Sequence, residues 1–257
     1  MVRVLTEAST IVNRSTLLHD WFVSDRNAIN WKETDMSSAT VMLSGGQDST
    51  TRLYWALKEF SHVEAIGFDY GQKHLIELEV AQEICHNLGI SYTVIDLKGV
   101  FANSSLVDYQ QDISAQHTIN PDLPSSFTAG RNAVFLSVTA GFDYNKSINN
   151  IVTGVCQTDY SGYPDWRRVF IDSMEKSLSL ALDSEIKIHT PLMYLTKAET
   201  WKMAKDLGCL EIIIHQTHTD YNGNRTDFNE WGYGTLDNPA SQLRAKGYQE
   251  AKAKGWI

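Results

Sequence analysis

Short apolar runs alternate with amphipathic segments along most of the chain, and this order restricts the possible fold more than any other feature of the sequence. The first three runs, at 40–43, 63–68 and 90–95, are separated by segments whose apolar residues recur at helical spacing. Two further runs follow at 151–155 and 186–189. Strands that alternate with helices form parallel sheets with helices on both faces. We therefore predict an α/β fold with a doubly wound, parallel, five-stranded sheet.

The overall composition excludes several classes of protein. The chain has 257 residues, of which 42% are hydrophobic and 21% charged, and this balance argues against a disordered protein. No run of about 18 apolar residues occurs and the first residues lack a secretory signal, so we expect no membrane association. The net charge of −9 disfavours strong nucleic-acid binding. The three cysteines form no CxxC pair, which indicates a reducing, cytoplasmic compartment.

The junction between the first predicted strand and the first helix carries the strongest local motif. Glycines let the backbone approach an anion closely, serine hydroxyls add donors, and the start of the helix adds a positive partial charge. Asp48 is suited either to cap this helix or to hold the magnesium ion that accompanies phosphates. The lysine of a Walker-type loop is missing. We therefore predict a phosphate-binding loop made of Ser44, Gly45, Gly46, Gln47, Asp48 and Ser49.

This loop resembles the pyrophosphate loop (PP-loop) of the ATP pyrophosphatase superfamily. The resemblance implies that ATP, with Mg²⁺, is split between its α and β phosphates, that a substrate oxygen takes AMP, and that a nucleophile then displaces AMP. It also implies the Rossmann-like fold of adenine nucleotide α-hydrolases. We accordingly assign an N-terminal extension to 1–36, the PP-loop domain to 37–208, and a small irregular or helical C-terminal region to 209–257.

Four further motifs narrow the resemblance to one family. All of them follow predicted strands, where ligands bind in open α/β sheets. Together with the loop they resemble the 7-cyano-7-deazaguanine synthase (QueC-like) family from about residue 39 to 250. The motifs are Asp69-Tyr70-Gly71-Gln72-Lys73-His74, Gly130-Arg131-Asn132, Asp159-Tyr160-Ser161-Gly162-Tyr163-Pro164-Asp165, and Pro191-Leu192 followed by Lys197 and Glu199.

The resemblance implies a homodimeric C–N ligase of queuosine biosynthesis. The carboxylate of 7-carboxy-7-deazaguanine becomes an acyl-adenylate, ammonia gives the amide, and a second ATP converts the amide into 7-cyano-7-deazaguanine. Positive side chains would neutralise the charge that builds up on the phosphates. The expected catalytic residues are Asp48, Lys73, His74 and Arg131, of which Arg131 also contacts the nucleotide.

The deazaguanine ring presents two neighbouring donors, N1–H and N2–H, which a carboxylate matches as a bidentate acceptor. Asp159 and Asp165 are the alternatives for this acceptor. An aromatic ring would stack on the base, and Tyr160 and Tyr163 are the alternatives for this role. The substrate site is expected to contain Tyr70, Gln72, Asp159, Tyr160, Tyr163, Asp165 and Lys197.

The chain departs from the family near its C-terminus. The resemblance implies a four-cysteine zinc site there, but none of the corresponding residues is a thiolate, so zinc is not expected. Two alternatives for stabilising this region instead are an aromatic cluster and the N-terminal extension. Tryptophan also stands at 166, where the family usually has cysteine. The residues at or near the four cysteine positions are Asp220, Tyr233, Asn238 and Ser241, and the expected cluster is Phe228, Trp231, Tyr233, Leu236 and Tyr248.

These departures leave three functions open. The first is synthesis of the nitrile without zinc. The second is a paralogue that hands the activated deazaguanine to a larger amine on a protein acceptor, as in nucleobase–protein conjugation and anti-phage defence. The third is a non-catalytic nucleotide-binding module. A tRNA thiolase fits less well, because it would need a reactive cysteine pair and a basic face.

Overall fold

The computed structural model describes residues 37–72, 75–101, 127–158, 163–220 and 223–257. Within these ranges a five-stranded parallel sheet forms the centre, and helices cover it. Its strands are β1 (Ser38–Met42), β2 (His62–Asp69), β3 (Tyr92–Asp96), β4 (Asn150–Val152) and β5 (Lys187–His189). The predicted α/β fold with a five-stranded parallel sheet is confirmed.

Helices connect the strands and complete the C-terminal part of the chain. None in the described ranges is long and apolar enough to cross a membrane. The helices are α1 (Gln47–Glu59), α2 (Ile76–Leu88), α3 (Arg131–Tyr144), α4 (Arg168–Leu182), α5 (Lys197–Asp206), α6 (Leu210–His215) and α7 (Pro239–Ala253). A 3-10 turn spans Pro164–Trp166, and an antiparallel hairpin joins β6 (Phe228–Asn229) to β7 (Gly232–Tyr233).

The strand order determines where a ligand can bind. The order across the sheet is β3-β2-β1-β4-β5, so that β1 pairs with β2 on one side and with β4 on the other. The chain first builds outwards from β1 to β3 and then crosses to the opposite side of β1. The connections after β1 and β4 therefore diverge and leave a crevice at the carboxyl ends of these strands.

The core forms where the apolar faces of the helices meet the sheet. Ile66 of β2 and Ile151 of β4 are fully buried with Leu136 of α3 and Ile171 of α4 in one cluster. Burial of side chains of this size contributes about 1.5–3 kcal/mol each to the hydrophobic free energy of folding. The spacing of apolar residues that predicted these helices thus reflects the face that each one packs on the sheet.

The start of α5 and the end of β4 both reflect contacts made by the residues found there. Helix α5 begins with a capping box, in which the hydroxyl of Thr196 accepts from Glu199 N at 3.3 Å and Thr196 N donates to Glu199 Oε2 at 2.8 Å. Strand β4 ends at Val152 and not at 155 as predicted, because the chain beyond it leaves the sheet to line the cavity described below.

The C-terminal part packs directly on α5. The indole Nε1 of Trp201 donates to the carbonyl oxygen of Arg244 at 3.1 Å, and the Trp201 and Tyr248 rings lie 5.1 Å apart. The expected aromatic cluster does not form as a unit, because Tyr248 packs on Trp201 and Leu236 is exposed. The domain boundaries at 36 and 208 stay predictions.

Candidate active site

A cavity of about 310 Å³ lies in the crevice between the carboxyl ends of β1 and β4. The loop after β1 contributes to its lining, together with segments after β2 and β4 and the starts of α3 and α5. Residues of the C-terminal part, from 218 to 220 and at 240 and 244, complete the lining. Segments that are far apart in the sequence therefore meet at the edge of the sheet where the fold predicts a ligand.

The phosphate loop is held in shape by its own groups. Gly45 has a φ of +87°, and a Cβ atom there would lie 2.2 Å from the carbonyl oxygen of Glu77, so only glycine fits. The Ser49 hydroxyl donates to the Gly46 carbonyl at 3.0 Å and accepts from Gly45 N–H at 3.0 Å. Because α1 begins at Gln47, the first N–H groups of the helix have no acceptor within the helix and are available to an anion.

Asp48 and Lys197 form an ion pair at the cavity. Lys197 Nζ donates to Asp48 Oδ2 at 2.7 Å, which links the loop after β1 to the start of α5. The other carboxylate oxygen, Asp48 Oδ1, is buried without a hydrogen-bond partner. Carboxylate oxygens are ligands that Mg²⁺ prefers, so this donor fits a magnesium ion that accompanies phosphates.

A second group of side chains comes from β2, α2 and α3. The Arg131 guanidinium lies 5.9 Å from the centre of the Tyr70 ring. Burial raises the pKa of Tyr70, and the nearby Arg131 charge opposes this shift. Burial also raises the pKa of Glu77 to about 7, again opposed by Arg131. Gln72 lines the same cavity, but its amide bonds to the backbone, accepting from Tyr70 N at 2.9 Å and donating to Phe68 O at 3.2 Å.

Asp165 supports the start of α3. It is buried, and its Oδ2 accepts from the backbone N–H of Asn132 at 3.2 Å, as a capping carboxylate does at the first turn of a helix. Tyr163 is buried between Phe127 and Trp166, at centroid distances of 5.5 and 5.0 Å. Of these aromatic residues, Trp166 lines the cavity. The structure therefore places Asp165 and Tyr163 one layer behind the cavity wall.

The segment before the hairpin closes the cavity over the phosphate loop. Backbone N–H of His218 donates to the carbonyl oxygen of Gly45 at 3.1 Å. Asp220 follows in the lining, and its Oδ2 accepts from Thr235 N at 2.9 Å and from the hydroxyls of Thr235 and Ser241 at 3.3 Å each. Two of the positions expected for zinc ligands, 220 and 241, are therefore joined by a direct hydrogen bond.

The buried side chain of Arg244 holds this segment in place through hydrogen bonds. Its Nη1 donates to the hydroxyls of Thr217 and Thr219 at 2.9 Å each, its Nη2 donates to Ile213 O at 2.6 Å, and its Nε donates to Trp231 O at 2.9 Å. Burial lowers the pKa of Arg244 to about 9, so the guanidinium remains charged at neutral pH. Through these four hydrogen bonds the arginine connects α7, α6 and the segment that faces the phosphate loop.

Comparison with known proteins identifies the family. The family model described as "Queuosine biosynthesis protein QueC" matches residues 38–252. The chain belongs to the QueC family. The match extends over the whole sheet and over the C-terminal segment that contains 220 and 241.

Several relatives of this QueC-family chain are curated as 7-cyano-7-deazaguanine synthase. The protein from Clostridium botulinum is 48% identical over 215 residues, which cover 82% of this chain and 94% of that protein. The protein from Helicobacter acinonychis is 46% identical over 217 residues, which cover 83% of this chain and 96% of that protein. The protein from Wolinella succinogenes is 44% identical over 220 residues, which cover 84% of this chain and 94% of that protein.

The positions of the predicted QueC-type site residues fall into three groups. Lys73, His74, Asp159 and Tyr160 lie outside the described residues. Asp165 and Tyr163 lie behind the wall, and the hydroxyl of Ser49 is used inside the loop. The roles of all these residues stay predictions. The predicted residues that the structure brings together around the cavity are Ser44, Gly46, Gln47, Asp48, Ser49, Tyr70, Gln72, Arg131 and Lys197, and Gly45 packs behind the loop against α2.

Sequence reasoning missed several residues of the cavity, among them Arg52, Glu77, Trp166 and Arg244. Trp166 could have been recognised from the sequence, because the resemblance implies a cysteine at this position. Arg244 lies in the run Leu243-Arg244-Ala245-Lys246-Gly247, in which nothing distinguishes a buried arginine from an exposed one. Arg52 and Glu77 belong to amphipathic helices, where a charged residue is normally assigned to the solvent face.

Proposed function

We propose that this chain uses ATP to convert 7-carboxy-7-deazaguanine, through the amide, into 7-cyano-7-deazaguanine. The single observation that carries the proposal is the phosphate loop at the crevice between β1 and β4 of a QueC-family chain. The relatives named 7-cyano-7-deazaguanine synthase support the same substrate, since this chain covers 94–96% of their length.

The reaction has two activation steps. In the first, a carboxylate oxygen attacks the α-phosphorus of ATP, pyrophosphate leaves, and ammonia displaces AMP from the acyl carbon with loss of a proton. In the second, the amide oxygen attacks the α-phosphorus of another ATP and pyrophosphate leaves, after which loss of AMP and of two protons from the nitrogen leaves the nitrile. Adenylation converts an oxygen that is a poor leaving group into the good leaving group AMP.

The residues around the cavity suit these steps. The unpaired N–H groups at the start of α1 would hold the phosphates, and Arg131 would stabilise the charge that develops when pyrophosphate leaves. Asp48, with its unpartnered oxygen, would hold Mg²⁺, which neutralises phosphate charge when bound. Trp166 and Tyr70 offer aromatic surface for a flat base.

A direct assay tests the proposal. The purified full chain is incubated with ATP, Mg²⁺, ammonia and 7-carboxy-7-deazaguanine, and the base is analysed by mass spectrometry. We expect the nitrile, with two AMP molecules released per nitrile. Absence of any base-dependent AMP release would contradict the proposal.

A second candidate function is transfer of the activated base to a protein amine. The observation that favours it is the altered wall, where Asp220 and Trp166 line the cavity in place of the family's usual cysteines. The same assay separates the two functions, because this candidate stops before dehydration. Amide without nitrile, or a base adduct on a protein, would favour it.

A further inference from the structure

Arg52 of α1 is a buried cation whose hydrogen bonds are incomplete. It lies one helical turn after Asp48, and it is only 8% exposed. Its Nη2 donates to the carbonyl oxygen of Met42 at the end of β1, whereas its Nε has no partner. In the part of the chain that the structure describes, no carboxylate forms an ion pair with Arg52. Because buried charges in proteins are nearly always paired or fully hydrogen-bonded, Arg52 is suited to bind an anion.

The guanidinium of Arg52 lies at the carboxyl ends of β1 and β4. Met42 ends β1, and Gly154 follows β4. A Cβ atom at Gly154 would lie 1.4 Å from Arg52 Nη1, so any other residue there would displace the guanidinium. Arg52, Gly154 and Thr153 all line the cavity. The unpaired charge therefore lies at the switch point of the sheet, where the fold places ligands.

The chain provides for two kinds of anion in different ways. Phosphates match the N–H groups of the loop and the start of α1, which bind anions without any side chain. Arg52 instead presents a planar fork of donors, which matches the two oxygens of a carboxylate. Burial lowers the pKa of Arg52 to about 10, opposed by Asp48, so the fork is charged at neutral pH.

We propose that Arg52 binds the carboxylate of the acid substrate and fixes its orientation toward the ATP bound at the loop. This inference rests on the proposed function and adds a specificity-determining residue to it. One carboxylate oxygen remains bonded to the guanidinium while the other attacks the α-phosphorus. When ammonia adds to the acyl carbon, the bound oxygen takes up negative charge, and the guanidinium stabilises that charge. Collapse of this species expels AMP and restores the carbonyl.

The amide intermediate provides the discriminating ligand. It has the same ring as the acid and a carbonyl oxygen that accepts one hydrogen bond, but it carries no charge. Hydrogen bonds to charged partners are about twice as strong as neutral ones. Wild-type protein therefore binds the acid more tightly than the amide, and loss of Arg52 removes this preference.

The test measures binding of 7-carboxy-7-deazaguanine, its 7-carboxamide and ATP by calorimetry on the full chain. For Arg52→Gln we expect the Kd of the acid to rise about 10- to 100-fold, with changes of no more than about 3-fold for the amide and ATP. Arg52→Lys keeps the charge without the planar fork of donors, so its Kd for the acid should lie between those of wild type and Arg52→Gln. The control is Arg168→Gln, which removes an arginine bonded to Asp172 outside the cavity and leaves all three affinities unchanged.

Folding is checked by thermal unfolding of each variant. If Arg52→Gln does not fold, Gly154→Ala serves as the second variant, because it displaces the guanidinium and should weaken the acid selectively. Unchanged acid affinity in a folded variant overturns the inference, and so does loss of ATP affinity with the acid unaffected, which would make Arg52 a phosphate ligand. Equal affinity of wild type for acid and amide overturns it without any variant. If wild type binds neither base, the proposed function itself fails, and this result differs from all the others.

Discussion

Buried polar atoms without hydrogen-bond partners are concentrated around the cavity. Eight buried side-chain nitrogen or oxygen atoms in the described residues have no hydrogen-bond partner, and five of them belong to residues that line the cavity. Unpaired buried groups cost about 1–3 kcal/mol each, so these atoms are suited to bond with a ligand or with water in the cavity. The five residues are Gln47, Asp48, Arg52, Asn132 and His218.

Asp48 is the residue for which we expect the largest effect on turnover. The change Asp48→Ala removes the unpartnered carboxylate oxygen and the partner of Lys197 at the same time. Pyrophosphate release should fall by at least about 100-fold, because the phosphate charge loses its compensation. A coupled pyrophosphate assay with ATP and the acid substrate measures it.

The matched control for that prediction is Asp206→Ala. Asp206 also pairs with a lysine, Lys202, but on the exposed surface of α5, so its loss should leave the rate unchanged. Release of pyrophosphate at the wild-type rate by Asp48→Ala would show that Asp48 has no part in the chemistry.

At the scale of elements, one buried carboxylate joins α3 to the sheet. Asp143 is fully buried near the end of α3, and its Oδ1 accepts from the hydroxyl of Thr40 in β1 at 2.9 Å, whereas its Oδ2 has no partner. Burial raises the pKa of Asp143 to about 7, against the hydrogen bond from Thr40. The contact is therefore better suited to a neutral carboxyl group than to a carboxylate.

The raised pKa makes the stability of the protein pH-dependent. A carboxyl group whose pKa is higher in the folded state contributes stability below its unfolded pKa of about 4, and loses it as the pH rises through the folded value. We expect Asp143→Asn, which keeps the shape without the charge, to unfold with a free energy about 2 kcal/mol higher than wild type at pH 8. At pH 5 the difference should be smaller, because the stability is lost progressively as the pH rises from the unfolded pKa to the folded one. Urea unfolding at both pH values checks this, and an equal difference at both would refute it.

Asp220 connects the segment before the hairpin to α7. Removing it in Asp220→Ala leaves Thr235 N–H and the Ser241 hydroxyl without their acceptor. We expect the free energy of unfolding to fall by about 1–3 kcal/mol. ATP affinity should fall too, because the same segment bonds to the phosphate loop through His218.

The control for Asp220 is Asp227→Ala, which removes an exposed carboxylate that bonds only to the nearby Asn224 and Thr226 among the described residues. It should leave both unfolding and ATP binding unchanged. If Asp220→Ala behaves like this control, the C-terminal segment is held by other contacts, chiefly those of Arg244.

For the whole molecule, we predict that the purified protein carries no stoichiometric zinc. The physical reason is the chemistry at 220 and 241, where a carboxylate and a hydroxyl bond to each other in place of thiolates. Elemental analysis of tag-free protein measures the metal content. One zinc per chain, retained against a mild chelator, would contradict the prediction.

The sheet could be predicted from the sequence because apolar runs and helical spacing are local signals. The phosphate loop was equally predictable, since the strand, the two glycines and the helix start are adjacent in the chain. Arg52 and Arg244 could not be predicted, because their burial results from contacts with Gly154 and with the segment around Thr217, more than 25 residues away. The position of Asp165 shows the same limit, as its acceptor role depends on the distant Asn132 N–H.

The hydrogen bond from His218 to Gly45 has a consequence for how the protein is made. The phosphate loop is translated before the segment that covers it, and before the Arg244 side chain that holds this segment in place. During translation the α/β part reaches solution with an uncovered loop. A prematurely terminated product would lack the cover altogether. Synthesis of α7 is therefore the event that completes the wall of the cavity in a nascent chain.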